Sequence, residues 1–188
     1  MSHSRSFQPL KLDVAAFAEA GAELQGEWPL AELPRLSAGA VMAADTAADP
    51  VTWQARGETR KVGGARQPWL HLGAHARLLL PCQRCLQPVA QDLEVDRWIR
   101  FVEGEEQAAE IDEESEDDVL ALPRSLDLRW LLEDELILEL PLVPRHEDCS
   151  PPAHLAAVPE EEEAVADKPN PFAALAALKK KPGGLGGA

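Results

Sequence analysis

An α+β fold, a twisted antiparallel sheet with helices packed on it, is what this sequence predicts. Three observations carry the prediction. Apolar and polar residues alternate in three successive runs within residues 51–102, the period of strands with one buried face. A leucine stripe over 128–140 has helical spacing instead. All three cysteines fall into two matched half-motifs, Cys82-x-x-Cys85 and His146-x-x-Cys149. These can close one four-donor site only if a strand turn and the segment after the leucine stripe meet in space.

In chain order, residues 7–12 read as a short strand. Asp13 is an N-cap for a helix over 14–25, with Val14, Phe17, Ala18 and Leu24 near one face; Gly26 and Pro29 end it. Leu30, Leu33 and Leu36 form an apolar segment of unassigned form. Val51, Trp53 and Ala55 then alternate with Thr52, Gln54 and Arg56, and Gly63-Gly64 breaks this strand. In the next strand Leu70, Leu72, Ala74, Ala76, Leu78 and Leu80 point one way, and Trp69, His71, Gly73, His75 and Arg77 the other. A third run sets Leu93, Val95, Ile99 and Phe101 against Asp92, Glu94, Asp96, Trp98 and Arg100. The Cys-x-x-Cys therefore joins two long antiparallel strands. Pro81 and Pro88 flank it and cannot donate to a ladder, which suits strand ends.

Residues 103–118 hold ten acids and no base, so the expectation is a solvated acidic loop over about 103–122. Asp127 opens the second helix. Leu128, Leu131, Leu132, Leu136 and Leu140 make its apolar stripe, while Glu133, Asp134 and Glu139 face out. Pro141 and Pro144 stop it just before His146 and Cys149. Together these elements make one α+β domain over 1–150. Residues 151–188 read as a disordered arm: a flexible Pro/Glu linker, then a short helix motif capped by Asn170 and Pro171. Phe172, Leu175 and Leu178 form its greasy edge, and three lysines close it. A helix below about 12–15 residues is marginal alone. It wants a groove on a partner, or a docking place on its own domain.

The net charge of −15 argues against nucleic acid until its distribution is read. Residues 51–91 carry six Lys/Arg against one acid, Glu58, so the local asymmetry is the informative quantity. No apolar run approaches the ~18 residues of a membrane helix. Met1 leads into no signal-peptide apolar region. Three cysteines without an export signal point to a reducing compartment, the cytoplasm.

Cys82, Cys85, His146 and Cys149 supply the four soft or borderline donors that Zn2+ takes in a tetrahedron; the plain alternative is reduced thiols without metal. A redox role for Cys82 and Cys85 fits less well, because such dithiols usually open a helix. Trp69, His71, His75, Arg77 and Arg84 would give RNA cations for phosphates and an aromatic for a base, unless they are simply a solvated face. No phosphate-cradling glycine loop and no nucleophile elbow is present, so a non-enzymatic role is expected.

Cys82-Gln83-Arg84-Cys85-Leu86 after alternating strands, the segment 127–144 with its Glu-Asp-Glu and Leu-Pro-Leu-Val-Pro, His146 with Cys149, and Asn170-Pro171-Phe172 in the tail follow one another in order. In this the chain resembles the bacterial YceD family, described as large ribosomal RNA subunit accumulation proteins. The resemblance implies a role in synthesis, processing or stability of 23S rRNA. It implies 23S rRNA or its precursors as partners, directly or through another assembly factor, with no membrane and no small-molecule substrate. It carries over no catalytic site. Cys82 and Cys85 match the family's paired cysteines, and His146 with Cys149 its downstream position. A protein-interaction adaptor stabilised by zinc is the alternative, and a thiol oxidoreductase a more distant one.

Overall fold

A computed structural model describes residues 6–41 and 49–153. The three alternating runs form the strands β2 (Val51–Val62), β3 (Ala65–Pro81) and β4 (Pro88–Val102). Two further strands flank them, β1 (Glu23–Trp28) beside β2 and β5 (Asp118–Ala121) beside β4. Neighbours from β1 to β4 are antiparallel; β5 runs parallel to β4. The fold is thus α+β as expected, but its sheet is mixed and wider than residues 51–102.

One sheet face carries the core. The six inward residues of β3 join Val51, Trp53 and Ala55 of β2 and Leu93, Val95, Ile99 and Phe101 of β4. The helices α1 (Val14–Glu19), α2 (Pro34–Ala38) and α4 (Leu128–Leu138) cover them. Leu70, Leu72, Leu128, Leu132 and Leu136 are fully buried, each contributing about 1.5–3 kcal/mol by leaving water. Helix α1 lies directly on the sheet at Gly57, where an added Cβ would stand 2.7 Å from the Phe17 carbonyl oxygen. Asp13 and Asp127 both cap as expected: Asp13 accepts from the Ala16 N–H, and Asp127 from those of Arg129 and Trp130.

Several expectations are corrected. Residues 7–12 hold a single 3-10 turn, Pro9–Lys11, and only Leu12 bridges, to Leu126. The first helix ends at Glu19, where Gly21 turns with φ +57°, and residues expected to prolong it become β1. The open edge of β2 and the stacking of Trp28 on Trp53, 4.5 Å between ring centroids, outweigh local helix propensity. The Leu30–Leu36 stretch folds as a 3-10 turn and α2.

The acidic loop is also corrected. It contains α3 (Glu105–Glu114) and then β5. Ala108 and Ile111 sit one helical turn apart and pack with Val102 and Val119 in a small second cluster. Val102 alternates with Phe101, so this cluster lies on the outer sheet face. Few apolar residues suffice because the β4 edge supplies the partner surface.

Glu133 does not face out. Only 4% exposed, it accepts from the backbone N–H groups of Arg35 (2.7 Å) and Leu36 (3.1 Å) and from Arg35 Nε (2.9 Å). It caps α2 from another helix, where Leu33 offers no capping side chain. The arm, with Phe172, Leu175 and Leu178, lies outside the described residues.

Candidate metal centre and nucleic-acid face

The two half-motifs meet. Strand β3 ends at Pro81, paired with Pro88 at the start of β4, and residues 82–87 form the turn between them. The Cys82 N–H donates to the Gln87 carbonyl and the Leu86 N–H to the Cys82 carbonyl, each at 2.9 Å. Leu86 takes φ +64°, the left-handed conformation usually given to glycine. The absence of a glycine after Cys85 therefore does not prevent the tight turn. On the other side, the prolines after α4 leave an irregular strand of chain. The Gln83 N–H binds the Pro144 carbonyl (2.8 Å) and Arg84 Nη1 the Cys149 carbonyl (3.1 Å).

The four donor atoms of Cys82, Cys85, His146 and Cys149 lie within 4.8 Å of one another. Cys82 Sγ is 3.7 Å from Cys149 Sγ, and Cys85 Sγ is 3.4 Å from His146 Nδ1. A regular tetrahedron around zinc, with Zn–S about 2.3 Å and Zn–N about 2.0 Å, has S···S edges of about 3.8 Å and S···N edges of about 3.5 Å. The spacing fits, and 3.7 Å is far too long for a disulfide. His146 Nε2 is 3.1 Å from the Pro88 carbonyl oxygen. An Nε2–H donated there leaves the Nδ1 lone pair free for a cation, an outer support typical of metal-binding histidines.

The charges fit as well. Burial pushes the Cys82 thiol up, but the backbone N–H groups of Cys85, Arg84 and His146 outweigh it and hold the thiol at about 5. Burial and the sulfurs of Cys82 and Cys85 push the Cys149 thiol up. Negative charge is thus concentrated on the most buried sulfur and resisted on its neighbour, as expected where a cation is wanted for all three. These residues can hold a metal.

The second candidate site is the outer sheet face, and the strand register divides it. Towards the β2–β3 turn, one row holds Arg56, His71 and Trp98 and the next Glu58, Trp69 and Arg100, with Arg60 beyond. The Arg60 guanidinium lies 4.5 Å from the Trp69 ring centroid and 3.9 Å from that of Trp98. Arg56 stands 5.2 Å over Trp98, and His71 packs 4.7 Å from it. Arg100 is only 8% exposed; its Nε donates to Gln67, and no carboxylate pairs with it among the described residues. Trp69 Nε1 is buried without a partner among the described residues.

The expected RNA residues scatter on this map. Trp69 and His71 do lie in the guanidinium-rich half, but Trp69 is 4% exposed beneath Arg60, and His71 is bound to Asp96. His75 and Arg77 lie in the other half, each about as far from Asp92 as an ion pair allows (3.9 and 4.0 Å). Arg84 belongs to the candidate metal centre, where it binds the Cys149 carbonyl. Arg56, Arg60, Trp98 and Arg100 were not singled out. Alternation alone put Arg56, Trp98 and Arg100 on polar faces, and only the register brings them together with Arg60.

Among the described residues, no helix is long and apolar enough to cross a membrane. The profile of a family described as large ribosomal RNA subunit accumulation protein YceD matches residues 70–179, which include all four donors. The chain is 43% identical over 107 residues to the large ribosomal RNA subunit accumulation protein YceD of Haemophilus influenzae. That alignment covers 54% of this chain and 60% of the relative, so the chain spans about 60% of the length of the curated relative it matches. No solved structure matches.

Proposed function

The chain belongs to the YceD family, and on that premise we propose that it supports the accumulation of 23S rRNA by holding an RNA strand against the guanidinium-rich half of the outer sheet face. The family's description names accumulation of large-subunit ribosomal RNA; the direct contact is our reading. One observation carries it. Arg56 and Arg60 lie over Trp98, Arg60 also over Trp69, and Arg100 is the ladder neighbour of Trp69; the acids in those rows are Glu23, opposite Arg56, and Glu58, which pairs with Arg60 at 3.1 Å, while Arg100 is buried with no carboxylate partner among the described residues. A buried guanidinium lacking its anion favours an incoming phosphate, and guanidinium planes also stack on bases. The test is binding of a fluorescent single-stranded 23S fragment over a salt series. Arg56→Glu with Arg60→Glu should weaken binding more than tenfold and flatten the logarithmic salt slope by about 1.4. Unchanged affinity would overturn the contact.

The metal reading belongs to the same proposal. Zinc on Cys82, Cys85, His146 and Cys149 would supply structure only, fastening the β3–β4 turn to the chain after α4. Elemental analysis should find close to one zinc per chain; under ~0.2 after careful preparation would remove it. The organisation we propose is a domain over 1–150 with an arm over 151–188, working in the cytoplasm without enzymatic turnover. A protein-interaction role is the second reading. It is favoured by Leu138, Leu142 and Val143, exposed together at the end of α4, Leu142 completely. Under that reading Phe172→Ala would lose a protein partner while RNA binding was absent from the start.

A further inference from the structure

The outer face is dented between its two halves. Gly73 of β3 gives the sheet no side chain there, and the Gln54 side chain lies down across it: a Cβ on Gly73 would stand 2.9 Å from Gln54 Nε2. Two adjoining hollows run along this dent, of about 550 and 210 Å³, sharing Gln25 and Gln54 as lining. Arg56 and His71 close the larger one towards the guanidinium-rich half; Thr52 and His75 line the smaller.

The lining is unusual in what it offers. The Gln25 and Gln54 side chains line both hollows, and each amide has a donor and an acceptor edge. Apolar lining side chains are few, which disfavours a greasy ligand. Soft metal donors do not converge here. Arg56 is the one permanent cation in the wall, with Glu23 opposite it in the ladder, so a multiply charged anion would find little. A flat, neutral ring edged with donors and acceptors suits the surface, because Gln54, lying low across Gly73, forms a floor on which such a ring can rest. Unpaired nucleobases have that chemistry, and they are read on their edges by side-chain amides.

We propose that this trough takes an unpaired base of the RNA strand, read by Gln25 and Gln54 over Gly73, while the adjoining phosphates lie on Arg56 and Arg60. The inference rests on the RNA reading above and makes it specific: the ligand is single-stranded, and the contact is with a base. Arg56 stands at the junction, part of the trough wall and 5.2 Å over Trp98 on the phosphate side. A duplex, whose bases are stacked and paired, has none to offer.

Labelled ten-nucleotide RNAs test this by fluorescence anisotropy: the four homopolymers, a strand with an abasic residue at every position, and a duplex of matched length. The wild-type protein should prefer the single strands over both the abasic strand and the duplex by about tenfold. Gln54→Ala, at an exposed position, should abolish that preference and leave the salt slope intact. Gly73→Val should do the same by pushing Gln54 out of the dent, and its melting curve shows whether it folds; Gln54→Ala answers the question if it does not. Arg56→Glu with Arg60→Glu should weaken every RNA alike. If Gln54→Ala binds like wild type while the double arginine variant is impaired, the base pocket is overturned and the phosphate contact stands. Equal wild-type affinity for intact and abasic strands also overturns the pocket. If no RNA binds the wild-type protein, both readings fall.

Discussion

The two hairpin turns of the central sheet are built on opposite principles. Between β2 and β3, Gly63 and Gly64 take φ +58° and +87°, and a Cβ on either would meet nothing within 4 Å. Two residues with positive φ match the twist of the flanking strands, so backbone conformation closes this turn unaided. Between β3 and β4 the turn is longer, contains a leucine at φ +64°, and is held by Cys82, Cys85 and residues 144–149 from beyond α4. The first turn is specified where it stands. The second is specified by chain that lies beyond β4, α3, β5 and α4 in the sequence.

The sharpest way to break the comparison is to remove a distant donor. Cys149→Ser should abolish metal retention and destabilise the protein by more than about 3 kcal/mol, as metal loss belongs to the changes that exceed the ordinary range. Calorimetry with and without a strong chelator checks it: the wild-type melting temperature should fall on chelation and the variant's should not move. Gly63→Val attacks the other turn. A β-branched residue forced to positive φ should cost about 1–2 kcal/mol and leave the metal content unchanged. A chelator effect of equal size in both turn variants would erase the distinction.

Acid should act on one turn only. The Cys82 thiol is held at about 5, below its ordinary 9.0. A lowered folded value gives stability that is complete above pH 9.0 and is lost as pH falls through about 5. The raised Cys149 thiol works the other way, and only above its ordinary value of 9.0. Metal-stripped protein should therefore lose stability from pH 9 towards 5 in urea titrations, and Cys82→Ser should flatten that slope. The smallest effect is a gain: Leu86→Gly removes the positive-φ strain and should add up to about 1 kcal/mol, partly offset by the freedom of glycine in the unfolded chain.

How far the sequence spoke follows the same division. Period-2 runs placed β2, β3 and β4, and the two aspartate caps located the helix starts, because those signals lie within a few residues of what they specify. Residues 103–118 misled, since charge outweighs Ala108 and Ile111 in composition but not once β4 offers them a surface. Glu133 reads as a solvated helix residue in any local window; its partners, Arg35 and Leu36, lie in another helix. The candidate metal donors were legible because chemistry of that type is identified by residue kind and gap. The guanidinium cluster was not, because Arg56, Arg60, Trp98 and Arg100 sit on different strands and only the pairing of His71 with both Arg56 and Trp98 aligns them.

Both rims of the sheet carry acid. At one, β1 spans six residues and bears Glu23 and Glu27; at the other, β5 spans four and follows the acidic helix α3. Unpaired rims invite a second copy to extend the ladder, and short length with like charge discourages it. With −15 on each chain, copies should repel before their rims can join. Concentrated solutions should therefore stay dispersed, and the protein should resist fibre formation even when part of its covering helices is stripped away.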